Sequence, residues 1–202
     1  MKQANSIDDV VTILDEIVAE CERTGSRLGY FAALYRTVTL VVRQRCDEGF
    51  FNDNERMRRL DTIFANRYFA AYFSHQDQSG IVTQSWGVAF ERARRRHLMI
   101  LQQLLLGMNA HIDLDLGIAT EEVSEGVLTD ELREDFNRLN IILASLVETV
   151  QEQVVSVSPL LKIGDQLAGR LDEDLVDWGI NLARDNAWGF ARSLSGLGRN
   201  DK

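Results

Sequence analysis

A single proline, Pro159, stands in 202 residues, so almost nothing in the backbone forbids long uninterrupted helices. Apolar residues recur at helical spacing over most of the length. Val10, Ile13, Leu14, Ile17 and Val18 form one stripe, and Phe31, Leu34, Tyr35, Val38, Val41 and Val42 form another. Sandwiches and barrels need many short strands with regular turn signals, and these stretches rich in Leu, Ala, Arg and Glu offer none. The fold class expected is all-α.

The stripes and their punctuation divide the chain. A first helix starts after Ser6, with Asp9 near its N-terminus, and ends at Thr24-Gly25-Ser26; a second spans Leu28 to Asp47; a third spans Asn54 to Phe73 behind an Asx-rich turn. Ser74 to Gly80 read as a polar loop that leaves His75 in solvent. The longest candidate helix runs from Ser85 to Asp115, bent near Gly107, because glycine disfavours a helix interior by about 1 kcal/mol. Residues 117–128 read as an acidic, glycine-bearing connector. Thr129 opens a helix to Val155, a short one covers Leu160 to Leu167, and a last one runs from Asp172 to Leu194. No internal linker or repeat is visible, so the expectation is one domain over 1–202. It is a compact bundle of about seven helices around the long central one, with its core over 7–195 and a frayed tail at 196–202.

The formal charge is −9, a field that repels phosphate backbones. The one dense basic run, Arg92, Arg94, Arg95 and Arg96, is read as pairing with acidic helix faces, so no nucleic-acid partner is expected. The most apolar stretch, Leu98 to Met108, is about half the length that a membrane span needs. Cys21 and Cys46 show no zinc-clip spacing, and the N-terminus has no apolar leader, which makes cytoplasmic residence the default expectation.

The segment most informative about chemistry is Gly107-Met108-Asn109-Ala110-His111-Ile112-Asp113-Leu114-Asp115. On a helix His111 and Asp115 project from one face, within reach of each other or of a common ion. An imidazole and a carboxylate are both ligands for divalent metals, so one reading is a metal site on His111 and Asp115 with Asp113 or Asp61 as further ligands. Arg67 or Arg184 would then steady an anionic substrate while a metal-bound water attacks it. The other reading makes the same groups, with Asn109, an internal hydrogen-bond network, because buried polar atoms without partners cost about 1 to 3 kcal/mol each. His97 cannot join His111, since the two lie about 21 Å apart along one helix. Asp61 stands in an apolar register with Phe64, Ala65 and Tyr68, and its simplest partner is an arginine. Asn181, Arg184 and Trp188 share a face of the last helix; packing places Trp188 in the core, and with Asn109, Arg67 and Arg184 it is also a candidate for contacting an anionic substrate. No Walker loop, GxSxG, HExxH or GxGxxG after a strand is present.

Four blocks carry a resemblance: Phe31-Ala32-x-Leu34-Tyr35, Leu60-Asp61-x-x-Phe64-Ala65-x-Arg67-Tyr68, Gly107-x-Asn109-Ala110-His111-Ile112-x-x-Asp115-Leu116 and Ala183-Arg184-x-x-Ala187-Trp188. Together they resemble a mainly bacterial and fungal family known only as a domain of unknown function. That resemblance implies an all-helical domain and a set of polar positions, with asparagine usual where this chain has Asp113. A fainter similarity, through Gly107, His111 and Asp115, is to the zinc-dependent phospholipase C and single-strand nuclease group. That group's further histidines and N-terminal tryptophan ligand are missing here. The expectation is therefore a binding, structural or interaction protein with a buried polar site around His111 and Asp115, for a small-molecule or protein partner. The alternative is a metal-assisted hydrolase of a phosphoester or lipid-like substrate that carries a divalent metal.

Overall fold

A computed structural model describes residues 2–78, 80, 82–93, 104, 107–108, 110–139, 141–142 and 184–196. Every regular element among them is helical, and no strand occurs. Helix α1 (Ile7–Thr24) is capped by the Ser6 hydroxyl, which accepts from the Asp9 amide at 3.1 Å, and it closes on Gly25 at φ 64°. A short connection returns the chain as α2 (Gly29–Asp47). Arg36 pairs with Asp15, and Arg43 with Asp8 at 2.7 Å, a register that makes α1 and α2 an antiparallel hairpin. Val10, Leu14 and Ile17 are buried along the seam.

Helix α3 (Asn54–Gln76) begins at Asp53, whose carboxylate accepts from the Arg56 amide at 2.9 Å. It runs past the predicted end at Phe73. His75 therefore sits in its last turn, with its ring 4.8 Å from that of Phe90, and not in a solvated loop. Helix α4 (Gln84–Ala93) lays Trp86, Ala89 and Phe90 into the core beside Tyr68 and Tyr72. Residues 94–103 lie outside the described set, and with them the continuity of the long helix and the basic run beyond Arg92. So do Pro159, the helix expected at 160–167, residues 172–183 of the last helix expected at 172–194, and the tail from 197.

The irregularity expected at Gly107 lies four residues further on. Gly107 is itself helical, and a β-carbon there would meet the Phe31 ring at 2.5 Å, so the missing side chain is what lets the two segments pack. His111–Leu116 instead forms a π-helical turn, which leads without a break into α5 (Gly117–Ser124). The predicted connector at 117–128 is thus helical over its first two turns and ends only at Glu125 and Gly126, with φ 51° and 77°. Gly117 misled that reading. Its role is a close helix crossing, since a β-carbon there would lie 2.8 Å from the Ala187 carbonyl oxygen. Gly117→Ala is expected to lower stability by about 1–3 kcal/mol through overpacking, read as a reduced midpoint in urea.

Helix α6 (130–139) is capped by the Thr129 hydroxyl, and α7 (184–196) packs Ala187 against Ile112, Leu116 and Phe136. Phe64, in the middle of α3, borders all three buried apolar clusters. It is the floor on which the π turn rests. Among the described residues no helix is long and apolar enough to cross a membrane.

Candidate functional site

The π turn aims His111 and Asp115 inward, where they are 3% and 2% exposed. Asp115 is the hub. Its Oδ1 accepts from Arg67 Nε on α3 at 2.8 Å, its Oδ2 accepts from the indole Nε1 of Trp86 on α4 at 2.8 Å, and Oδ2 also faces His111 Nδ1 at 3.5 Å. Arg67, a candidate for steadying an anionic substrate, commits its Nε to this carboxylate. Burial alone would push the Asp115 carboxyl up, but the donors and charges of His111, Trp86 and Arg67 outweigh it and hold the group ionised. For His111 burial dominates in the other direction. It lowers the imidazole below its usual range despite the pull of Asp115, so the ring is neutral near pH 7.

A neutral ring facing a carboxylate carries its proton on Nδ1 and its lone pair on Nε2. That Nε2 is buried and has no hydrogen-bond partner among the described residues. Aromatic rings enclose it. His111 stacks on Phe64 at 3.5 Å and 5°, with Tyr35 at 4.8 Å, Trp86 at 5.6 Å and Phe31 at 5.9 Å between centroids.

The hydroxyl of Tyr35, whose ring contacts that of His111, also lacks a hydrogen-bond partner among the described residues, as do Thr39 Oγ1, one turn on along α2, and Asp61 Oδ2, one turn before Phe64 on α3. Burial raises the Tyr35 phenol well above its usual range, and the charges of Asp61 and Asp115 raise it further. Periodicity hides both hydroxyl residues, because a tyrosine and a threonine at helical spacing look like ordinary stripe positions. Asp61 was flagged, but the arginine expected to neutralise it is absent: it forms no ion pair among the described residues.

Burial pushes Asp61 from the ordinary 3.8 up to about 7. The folded state therefore binds more protons than the unfolded chain between those limits, so this group's contribution to stability falls as pH climbs from about 4 to about 7. His111 acts oppositely, losing stability as pH drops below the unfolded imidazole value. Asp61→Asn is expected to flatten the loss on the alkaline side and to stabilise the protein at pH 8 by about 1–3 kcal/mol. Melting temperatures of both forms across pH 4 to 8 read this directly.

Arg184 and Trp188 stand apart from this centre. Arg184 Nη2 donates to the Phe136 carbonyl at 2.7 Å and its guanidinium lies 4.6 Å from the Phe136 ring, while burial pushes its pKa down to about 9. Trp188 is half-buried, 5.2 Å from Phe136. Asn109 and the Asp113 side chain lie outside the described residues. Among the described residues no three His, Cys, Asp or Glu side chains converge as a metal-binding group. Both Asp115 oxygens already face donors, one of them the Arg67 cation, so this carboxylate does not suit a divalent ion.

No curated protein and no solved structure matches the chain. A family match runs over residues 7–202, nearly the whole length. The chain thus belongs to DUF5995, a family of unknown function.

Proposed function

We propose that the protein binds a small, donor-bearing molecule at the buried cluster of His111, Tyr35, Thr39 and Asp61. The observation that carries this reading is the His111 Nε2 lone pair, buried, unpartnered, and held in one tautomer by a carboxylate that is itself anchored from two other helices. Folding leaves such an atom without compensation at about 1–3 kcal/mol. A lone pair, a carboxyl and two hydroxyls call for a ligand rich in N–H or O–H groups, and the aromatic walls favour a compact one. The π turn supports the same reading, since such turns cluster at functional sites. A metal-assisted hydrolase has less support, because the ion would have to displace the Arg67 guanidinium.

His111→Phe separates binding from structure. It preserves the stack on Phe64, removes the unpaired nitrogen and forfeits only the long contact to Asp115, so the variant is expected to melt within a few degrees of the parent. Thermal-shift titrations with ethanolamine, ethylene glycol and acetamide should then raise the melting temperature of the parent saturably for at least one probe, and not that of the variant. Equal responses, or none in the parent, would overturn the binding reading. A large fall in the variant's melting temperature would instead make His111 a structural residue.

A further inference from the structure

Helices α6 and α7 enclose a separate cleft of about 300 Å³, lined by Leu128, Asp130, Arg133, Trp188 and Arg192 among others. That is the lower end of the range for small-molecule sites. Most described arginines, Arg56, Arg67 and Arg138 among them, pair with carboxylates. Arg133 and Arg192 form no ion pair among the described residues, although Asp130 shares their cleft, and both are exposed. On a chain of charge −9 this is a local excess of positive charge.

The wall between them is flat and apolar. Arg133 lies 5.9 Å over the Trp188 ring, whose Nε1 is buried without a partner among the described residues. Behind Trp188, across the Phe136 ring, sits the Arg184 guanidinium, 2% exposed. Arg184, Trp188 and Arg192 recur at four-residue steps, so they share one stripe of α7 that leads from the interior to the cleft mouth. This buried guanidinium is less screened than a surface charge, and although the neighbouring Asp185 offsets part of it, it adds to the field of the two exposed arginines.

We propose that this cleft is a second binding site, for a small organic anion whose carboxylate or phosphate head meets Arg133 and Arg192 and whose flat or apolar body lies on Trp188 and Leu128. It is independent of the His111 cluster. The test follows tryptophan fluorescence of the full chain titrated with benzoate, phenyl phosphate and uncharged benzamide. Saturable quenching by at least one anion is expected, with benzamide at least tenfold weaker, and the preferred anion tells a carboxylate from a phosphate ligand. Arg133→Gln/Arg192→Gln, two surface changes whose folding a melting curve verifies, should weaken the anion at least tenfold, and Trp188→Phe should abolish the signal. No saturable response to either anion, benzamide binding as tightly as the anions, or undiminished affinity in the double variant would each overturn the proposal.

Discussion

Asp135→Ala is expected to destabilise the protein by about 3–5 kcal/mol, a fall in melting temperature on the order of 10 °C. Asp135 is fully buried, and every contact it makes is to a donor. Its oxygens accept from the amides of Asn52 at 2.7 Å and Asp53 at 3.1 Å, from Arg56 Nη2 at 3.1 Å and from Arg138 Nη1 at 3.3 Å. Arg138 passes the tie onward by donating to the Phe50 carbonyl at 2.9 Å. One carboxylate on α6 thus fixes the turn whose Asp53 caps α3. Its removal strands the largely buried Arg56 guanidinium and two amides at once, while Arg138 keeps its bond to the Phe50 carbonyl, and a charged donor left unpaired inside a protein is far more costly than the truncation itself. Asp135→Asn, which keeps one acceptor and adds a misplaced donor, should fall between. Urea denaturation gives both values, and a loss below about 1 kcal/mol for the alanine variant would mean that other contacts hold the turn.

That hub was invisible in the sequence for a physical reason. Helical periodicity is a local signal, and it places α1, α2 and the start of α3 with their caps to within a residue, because Ser6, Gly25 and Asp53 act on amides and angles three or four residues away. Nothing local joins Asn52 to Asp135, which are brought together only when α6 docks. The candidate site divides in the same way. The inward pairing of His111 with Asp115 is a one-turn relation and was legible, as was the anomaly of Asp61 in an apolar register. The partners were not. Arg67 and Trp86 reach Asp115 from two other helices, and Tyr35 and Thr39 resemble core residues until the atoms facing their hydroxyls are known. Gly117 differs: a glycine that opens a glycine-bearing, acidic stretch signals a loop, whereas here it marks backbone approach between packed helices.

Asp115→Ala should be as damaging as the loss of Asp135, again about 3–5 kcal/mol, and it carries a functional consequence that Asp135 does not. The substitution leaves Arg67 Nε, Trp86 Nε1 and His111 Nδ1 facing a void, and it unties α3 and α4 from the π turn. It also releases the tautomer of His111. Without the carboxylate the ring has no reason to keep its proton on Nδ1, so a fraction of molecules presents a donor where the buried cluster needs an acceptor. Asp115→Asn isolates that effect: the amide preserves volume and one acceptor, so more of the stability survives, yet its NH₂ confronts at least one of the three donors. The probe response assigned to His111 should therefore disappear from a variant that remains folded. Charge coupling has its own readout. If the penalty for losing Asp115 is chiefly the stranded guanidinium, Arg67→Met should relieve it, and Asp115→Asn/Arg67→Met should be less destabilised than the sum of the single variants by about 0.5–3 kcal/mol. Strict additivity in urea denaturation would show that the two side chains do not depend on one another, and the anchoring of the imidazole would then rest on the Trp86 indole alone.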